Sequence, residues 1–466
     1  MRTSPSTTIP TTEAEIRAHR RRVLFSSYLG SVVEYYDFLL YGLAASLVFG
    51  PLFFANMDPA VATIASFGTL AIGYVSRPLG GVIFGHFGDR VGRKSMLVIT
   101  MTLMGVASTL IGLLPTYDQI GNWAPLLLIF LRLLQGVAVG GEWGGAALMT
   151  LEHSESGRRG FAASVTHMGG PSGALLATLV MTGFSTLPQD QFFGWGWRVP
   201  FLLSAVLLVV GLFVRMSVSE SPVFAQEKAQ QEKAQAAGKR EVPILTVLRH
   251  HRGSVALLAL GSSAAFLFQS LLATFAVTLA VTVGGADRTT VLLFHAVGTL
   301  LHIFTIPTFA ALSDKVGRRP VMISGAVAGA LFAYPMLQML ASGSAVLILL
   351  AFIIGNPIIQ ASMYGPMAAF MGEAFGTGAR YTGASLGYQL GSTLGAGLAP
   401  LSAASLLALG GGSDPSYIAA MMIAVCIVSG FCLYRARESY RATLHEPAPG
   451  VAPTAGPNAE PTAARA

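Results

Sequence analysis

The sequence predicts an all-α membrane protein with twelve transmembrane helices in two six-helix halves. Hydrophobic residues make up 53% of its 466 residues and charged residues only 11%, whereas an average soluble domain carries roughly 25% charged residues. The length accommodates about twelve apolar helices of about 20 residues with short loops between them. Two motifs of the first half also recur in the second half in the same order, which predicts that the halves are repeats.

Twelve apolar stretches account for most of the chain. They are too long and too evenly apolar for the alternating pattern of a membrane barrel. The first stretch carries Glu34 and Asp37 and is longer than the apolar region of a cleavable signal peptide. The predicted spans are 23–49, 61–84, 96–115, 125–150, 161–184, 198–218, 254–283, 289–312, 320–341, 345–371, 382–408 and 416–434.

Composition divides the chain into five parts. A polar central segment joins the two halves, and the tail after the last span is rich in Pro and Ala with no apolar period, which indicates disorder. The predicted parts are a cytoplasmic tail (1–22), a six-helix half (23–218), a cytoplasmic central loop (219–252), a second six-helix half (253–435) and a disordered cytoplasmic tail (436–466).

The positive charges predict the orientation. Nearly all of the 29 Lys and Arg residues fall in the tails and in the loops on one side of the predicted membrane. Arg198 and Arg288 fall on the other side, and Arg77 and Arg132 lie within spans. Because cytoplasmic loops carry the excess of basic residues, both termini are predicted to be cytoplasmic. The same excess explains the net charge of +7 without a nucleic-acid partner.

A basic turn follows the second span and is repeated after the eighth. It reads GDRVGRK at 88–94 and SDKVGRR at 313–319. Glycine permits a sharp turn, and aspartate can cap a helix or pair with a facing arginine. A single such turn could simply anchor a loop, but the repeat favours a gate at the cytoplasmic end. The predicted gating residues of this turn are Asp89, Arg90, Arg93, Asp314 and Arg318.

A second repeated pair occurs later in each half. Glu152 precedes Arg159, and Glu373 precedes Arg380 at the same spacing. We predict that these residues form ion pairs that hold the cytoplasmic ends together while the protein faces outward. Arg77 lies in the second span near the cytoplasmic side, and we predict a structural or gating role for it as well.

These motifs resemble the major facilitator superfamily, whose hallmark inter-helix motif is similar to residues 85–94. The resemblance is closer to one branch, the metabolite:proton symporter family, and runs from about residue 20 to 435. The stretches that carry it are EYYDF at 34–38, RPLGG at 77–81, GGEWGGA at 140–146, WGWRVPF at 195–201 and RYTGAS at 380–385.

The resemblance implies the major facilitator fold and a transport function. Family members of known function carry shikimate, 2-oxoglutarate, citrate, proline or betaine inward together with protons, and the shikimate-like and uncharacterised metabolite branches are the most similar. The osmosensing proline and betaine carriers have a long C-terminal coiled coil. The tail of this chain is short and lacks heptads, so we place that substrate class second.

Charged side chains inside the spans are the functional candidates, because a charge at mid-membrane costs about 2.5–3.5 kcal/mol by insertion scales. Three acids qualify, Glu34, Asp37 and Glu142, and the first two share a helix face with Tyr41. A carboxylate that alternates between apolar and cationic surroundings can take up and release a proton, so we predict proton coupling at these acids. For Glu34 and Asp37 the alternative is a static ion pair that holds helices together. For Glu142 it is a packing site where the acid pairs with Arg77.

Arg132 is the predicted substrate-binding cation. It shares a helix face with Gln135 and Trp143, and its planar guanidinium suits a carboxylate. A static bridge to the first helix is the alternative. Histidine titrates near neutral pH, although a single buried histidine is more often a helix-contact residue. The other predicted substrate residues are Tyr41, Gln269, His295, Asn356, Gln360, Tyr388 and Ser392.

These observations predict a proton-coupled secondary transporter that imports a small organic acid across the bacterial inner membrane. A carrier of zwitterions such as proline or betaine is the first alternative, and an exporter that works by antiport is a further one. A receptor without transport would carry an extended signalling domain, and an enzyme is disfavoured because no P-loop or catalytic motif occurs. We expect a monomer whose partners are protons, the solute and the lipid bilayer, with no metal, no cofactor and no nucleic acid.

Overall fold

The structure is a computed structural model that describes residues 13–81, 83–84, 93–140, 157–216, 249, 251–375, 380–438 and 440. It confirms the all-α fold, and no β-strand occurs among these residues. The predicted central loop (219–252) and the predicted disordered tail (436–466) lie mostly outside these ranges, so both stay predictions.

Twelve membrane helices follow one another within the described residues, and we number them α1 to α12. Short helices at Phe49–Phe53, Tyr117–Ile120 and Gln189–Gln191 lie between them. The bounds are α1 Glu13–Leu47; α2 Pro59–Gly81; α3 Arg93–Leu113; α4 Trp123–Gly140; α5 Arg159–His167 and Gly169–Ser185; α6 Arg198–Met216; α7 Arg252–Ser270, Leu271–Phe275 and Ala276–Thr282; α8 Arg288–Val316; α9 Arg318–Ala341; α10 Ala345–Ile354, Gly355–Gln360, Ala361–Tyr364 and Met367–Glu373; α11 Arg380–Ser392, Thr393–Gly397 and Ala399–Leu409; and α12 Ser416–Arg435.

Most of these helices can cross a membrane. Nine helices of the described residues are long and apolar enough to do so, and α3 contains a shorter apolar stretch, Val98–Leu113. Every predicted span overlaps an observed helix, but α1 begins at Glu13, earlier than the predicted start at 23. Residues 13–22 are rich in Ala, Arg and Glu, which favour helix without being apolar, and a search for apolar stretches does not detect such a segment.

Three helices of the second half contain π-helical turns, which occur frequently at functional sites. The turn of α10, Gly355–Gln360, includes Pro357, which has no N–H to donate to the helix ladder. The turns of α7 and α11 begin at Leu271 and Thr393, soon after two predicted substrate residues, Gln269 and Ser392.

Glycines allow α2 and α4 to pack closely. A side chain at Gly136 would collide with the carbonyl of Gly73, and one at Gly140 would collide with the carbonyl of Arg77. Small residues at such crossings let helix backbones approach one another in membranes. The close crossing therefore places the two arginines of these helices, Arg77 and Arg132, near each other.

The two halves meet along two helix pairs, α5 with α8 and α2 with α11, and α1 also contacts α7. The space between the halves is therefore bounded by α1 and α2 on one side and by α7 and α11 on the other. We call the end of the molecule that carries the α8–α9 turn at Gly317 the inner end, and the opposite end the outer end.

Candidate functional site

A narrow cavity lies between the two halves. Its walls come from α1 and α2 of the first half and from α7 and α11 of the second half. The residues that line it are Tyr35, Phe38, Leu39, Tyr74, Arg77, Phe266, Gln269, Tyr388 and Ser392. The lining combines one cation with five aromatic rings and two neutral polar side chains, and its cation is chemically complementary to the carboxylate of a small solute.

Arg77 is the cation of the cavity wall. The residue is only 6% exposed, and its guanidinium lies 4.0 Å from the centre of the Phe38 ring and 4.4 Å from that of Tyr74. Its Nε has no hydrogen-bond partner among the residues that the structure describes. A buried guanidinium with an unused donor can bind a carboxylate of a solute.

Arg132 lies behind Phe38 and outside the cavity lining. Its guanidinium packs 4.1 Å from the centre of the Phe38 ring and 4.0 Å from that of Tyr41. The sequence predicts Arg132 as the substrate-binding cation and a structural or gating role for Arg77. In the structure, however, Arg77 rather than Arg132 lines the cavity. The Phe38 side chain occupies the space between α1 and α4 and screens Arg132 from it.

Asp37 is buried at 1% exposure and turns away from the cavity toward α3 and α6. Its carboxylate accepts hydrogen bonds from the hydroxyls of Ser204 and Ser108. No ion pair of Asp37 with a cation occurs among the described residues. The predicted alternative of a static ion pair at Asp37 is therefore not observed in this part of the chain.

A chain of polar side chains connects Asp37 with Arg132. Arg132 Nη1 donates to Gln135 Oε1 at 3.0 Å, and Gln135 Nε2 donates to Ser108 Oγ at 2.7 Å. Ser108 in turn bonds Asp37. A change in the charge of Asp37 can therefore reach Arg132 through two neutral groups, and Arg132 shares the Phe38 ring with Arg77.

The other predicted proton and substrate residues are divided between the cavity and the helix contacts. Glu34 is half-buried and interacts electrostatically with Tyr364. Tyr41 donates to Thr69 Oγ1 at 2.7 Å inside the first half, although it shares a helix face with Glu34 and Asp37. It therefore does not line the cavity.

The second half shows the same division. Gln269, Tyr388 and Ser392 line the cavity, and their role in substrate binding stays a prediction. His295 instead joins α5 to α8, because its Nδ1 lies 3.1 Å from Thr178 Oγ1. Asn356 and Gln360 are buried in α10 outside the lining.

Five lining residues were not among the predicted site residues: Tyr35, Phe38, Leu39, Tyr74 and Phe266. Two of them carried a usable signal. Tyr74 precedes Arg77 by one helical turn, and Phe38 follows Glu34 by one turn, so each shares a face with a charged residue inside a span. Leu39 and Phe266 carried no such signal.

At the inner end, Asp314 joins the halves across the start of α5. Its carboxylate accepts the backbone N–H of Gly160 at 2.9 Å and that of Phe161 at 3.0 Å. Arg318 holds this carboxylate at 2.6 Å and also contacts Glu373 at 3.2 Å. The repeat motif of the second half therefore contacts the first half directly.

Several predicted residues lie outside the described part of the chain. These are Asp89, Arg90, Glu142, Trp143 and Glu152. Arg93 and Arg380 begin α3 and α11, and the structure describes only their backbone. Arg159 begins α5, next to the Asp314 contact.

The halves also touch at the outer end. Arg288 Nη2 donates to the carbonyl of Ser185 at 3.2 Å, and the hydroxyls of Ser185 and Thr289 lie 3.2 Å apart. Helices α5 and α8 therefore join the halves at both ends of the molecule. Two six-helix halves with a cavity between them are the architecture of a secondary transporter.

The chain is similar to transporters of known families. Residues 23–247 match the family described as "Sugar (and other) transporter", and residues 258–458 match the Major Facilitator Superfamily. The chain is 40% identical to the shikimate transporter of Escherichia coli strain K12 over 426 residues, which cover 91% of this chain and 95% of that one. The chain therefore belongs to the metabolite:proton symporter family of the major facilitator superfamily and is a transporter rather than an enzyme.

Two further transport proteins are similar to this chain over most of its length. The inner membrane metabolite transport protein YhjE of Escherichia coli strain K12 is 40% identical, over 86% of this chain and 91% of that one. The proline/betaine transporter of the same strain is 30% identical, over 93% of this chain and 86% of that one.

A solved structure shows the same fold. A partially occluded, inward-open structure of the xylose transporter XylE from E. coli superposes with a TM-score of 0.70. The match covers 92% of this chain and all of the other at 17% sequence identity, a level at which the likeness concerns the fold.

Proposed function

We propose that this chain is a proton-coupled importer of a small organic acid in the bacterial inner membrane. Its basic loops favour a topology with both termini in the cytoplasm, so that the inner end faces the cytoplasm. We expect it to work as a monomer, because the cavity lies within one chain. Two relatives support this proposal, one named for shikimate and one named as an inner membrane protein.

The observation that carries the proposal is the position of Arg77 in the cavity wall. It is the one cation among the described lining residues, and it has an unused buried donor within the described part of the chain. A carboxylate that binds there is held by charge in a site of low dielectric, where the attraction is stronger than in water. Gln269 and Ser392 add neutral hydrogen-bonding groups for the rest of the solute.

Asp37 is the proposed proton carrier, and Glu34 and Glu142 are the proposed auxiliary acids. Protonation removes the charge of Asp37 at one end of the polar chain through Ser108 and Gln135 to Arg132. Arg132 and Arg77 both pack on Phe38. We propose that this shared ring connects the proton site with the substrate cation.

Asp314, Arg318 and Glu373 form the proposed cytoplasmic gate. In the first half, Asp89, Arg90, Arg93, Glu152 and Arg159 are the proposed gate residues, and Arg380 of the second half is the proposed counterpart of Arg159. The contact of Asp314 with two backbone N–H groups of α5 supports this role, because it joins one half to the other.

Replacing Arg77 tests the substrate site. A hydrogen bond to a charged group contributes about 1.5–3 kcal/mol, so Arg77→Gln should raise the KM for acid uptake about 10–100-fold. Arg77→Lys keeps the charge but loses the planar fork, so we expect an intermediate KM. The measurement is uptake of labelled shikimate into proteoliposomes, with Arg252→Gln, an exposed arginine at the start of α7, as the control. An unchanged KM in Arg77→Gln would exclude Arg77 as the substrate cation.

A zwitterion carrier is the second candidate, and the aromatic lining favours it. Five aromatic rings line the cavity, and a quaternary ammonium group binds well over such rings. The carboxylate of a betaine could still bind Arg77.

Competition distinguishes the two candidates. We expect an excess of unlabelled shikimate or a dicarboxylate to inhibit uptake of labelled shikimate, and an excess of betaine to leave it unchanged. Strong betaine uptake that organic acids do not inhibit would exclude the organic-acid proposal and favour the zwitterion carrier.

A further inference from the structure

Three tyrosine hydroxyls meet where the two halves touch. Tyr35 comes from α1 of the first half, and Tyr364 and Tyr388 come from α10 and α11 of the second half. The hydroxyl of Tyr35 lies 2.8 Å from that of Tyr388 and 3.2 Å from that of Tyr364. The hydroxyls of Tyr364 and Tyr388 lie 3.3 Å apart.

The three hydroxyls form a closed triangle of hydrogen bonds, which we call the tyrosine triangle. Each phenol has one proton to donate and can accept at least one bond, so three hydroxyls suffice for three bonds. Two of the three bonds cross between the halves, and both depend on Tyr35. The tyrosine triangle is therefore a direct polar contact between the halves.

The tyrosine triangle borders the cavity on its inner side. On α1, Tyr35 precedes the lining residue Leu39 by one turn, and on α11 Tyr388 precedes Ser392 by one turn. Both helices run from the inner end toward the outer end, and one turn is about 5.4 Å. Tyr35 and Tyr388 line the cavity themselves, whereas Tyr364 lies outside the lining.

Tyr364 is held rigidly behind the other two tyrosines. The imidazole ring of His167 from α5 stacks on its ring, with centroids 4.4 Å apart and planes 16° apart. Phe266 packs edge-on against Tyr388 at 4.8 Å. These contacts hold the rings of Tyr364 and Tyr388 in place, and Tyr35 and Tyr388 line the same cavity as Arg77.

We propose that the tyrosine triangle determines specificity by forming hydrogen bonds with a hydroxyl group of the solute. We further propose that these bonds open the inner side of the cavity, which we call its floor. The inference rests on the proposed function, since it assumes an acid whose carboxylate is bound by Arg77. A solute hydroxyl that reaches the floor replaces the bond between Tyr35 and Tyr388 with bonds to itself. The contact between the halves is then lost without leaving a buried hydroxyl unpaired, which would be unfavourable.

An acid without a hydroxyl group binds Arg77 but cannot replace this bond. Sites built to hydrogen-bond a solute hydroxyl discriminate strongly against analogues that lack it, because their own polar groups are left unpaired. The proposed substrate class is therefore a small hydroxylated carboxylic acid rather than any small carboxylate.

The test compares shikimate, which has three hydroxyls on a cyclohexene carboxylate, with cyclohex-1-ene-1-carboxylate, which has none. The variants are Tyr35→Phe and Tyr388→Phe. Tyr36→Phe is the matched control, because the Tyr36 hydroxyl also lies in α1 but donates to the carbonyl of Pro200 within the first half, at 2.8 Å. Uptake of both acids is measured in proteoliposomes, and thermal unfolding of each purified variant verifies its folding.

For the wild-type protein and Tyr36→Phe, we expect kcat/KM to favour shikimate by about tenfold or more. Tyr35→Phe and Tyr388→Phe should each reduce this preference to about twofold or less, since one hydroxyl of the bonded pair is lost. Inhibition of uptake by cyclohex-1-ene-1-carboxylate should persist in both variants, because Arg77 is unchanged. If one variant does not fold, the other decides the test.

Two results would overturn the inference. One is a wild-type protein that transports both acids equally well, and the other is a folded Tyr35→Phe or Tyr388→Phe variant that keeps the full preference for shikimate. A wild-type protein that transports neither of these acids nor the dicarboxylate of the competition experiment would instead overturn the proposed function, so the two failures are distinguishable.

Discussion

Replacing Asp37 with asparagine is expected to abolish proton-driven accumulation of the transported acid while exchange of the acid across the membrane continues. Asparagine is neutral and has nearly the shape of a protonated aspartate, so this position can no longer alternate between two charge states. The described partners of Asp37 are the hydroxyls of Ser108 and Ser204. Neither hydroxyl can replace the carboxylate as a proton carrier.

The expected size of this effect follows from the driving force. A gradient of one pH unit is worth about 1.4 kcal/mol per proton, which corresponds to about tenfold accumulation of a solute carried with one proton. Wild-type proteoliposomes should approach that ratio with labelled shikimate, whereas Asp37→Asn should reach a ratio of about 1. Counterflow with unlabelled acid on the inside should remain close to the wild-type rate.

Asp118→Asn is the matched control, since Asp118 is an exposed acid on the short helix before α4. It should accumulate the acid as the wild-type protein does. If Asp37→Asn accumulates the acid normally under an imposed gradient, Asp37 is not the coupling site. Glu34→Gln would then be the next variant to measure.

Replacing Gly160 with alanine is expected to open the inner end and to reduce uptake strongly. A Cβ at Gly160 would lie 2.5 Å from Arg318 Nη1, 2.9 Å from the carbonyl oxygen of Ala310 and 2.9 Å from Asp314 Oδ1. These distances are too short, so the start of α5 must move away from α8. The hydrogen bonds from Gly160 and Phe161 to Asp314 are then lost, and each bond to a charged group contributes about 1.5–3 kcal/mol.

Loss of even one of these bonds should shift the equilibrium between the closed and open inner end about tenfold. The readout is the labelling rate of Ala369→Cys by a membrane-impermeant maleimide added at the inner face. Ala369 is buried against Ala163 of α5, so a cysteine there reacts only when the inner end opens. The two native cysteines, Cys426 and Cys432, are replaced with serine in this background.

Gly183→Ala is the matched control, because Gly183 lies in the same helix and a Cβ there would meet no atom within 4 Å. Its labelling rate and uptake should equal those of the wild-type protein. Asp314→Asn should change labelling in the same direction as Gly160→Ala, since it removes the charge without adding bulk. Wild-type uptake and labelling in both Gly160→Ala and Asp314→Asn would contradict a gating role for this contact.

Much of the fold could be predicted because a bilayer restricts the chain to a few solutions. An apolar stretch of about 20 residues can satisfy its backbone only as a helix, so the twelve predicted spans all overlap observed helices. Two features of the fold were not predicted, and each has a physical cause. The first ten residues of α1 are polar helix formers, and the π-helical turns of α7, α10 and α11 depend on local backbone adjustments that no apolar pattern records.

The site was predictable only in part. The sequence indicated that Arg77, Arg132 and Asp37 are costly inside a membrane and must have partners or a cavity. It also showed which residues share a helix face. It could not indicate which neighbouring helix each face meets, because that depends on packing between elements far apart in the chain.

The sequence by itself determined the helical class, the twelve spans, the repeat and the small set of charged residues inside the membrane, because these follow from composition and periodicity. The tertiary structure alone decided that Arg77 faces the cavity while Arg132 lies behind Phe38. It also decided that Asp37 turns toward Ser108 and Ser204, and that Tyr35 meets Tyr364 and Tyr388 across the halves. These contacts depend on the close crossing of α2 and α4 at glycines and on the approach of the two halves, and both are properties of packing in three dimensions.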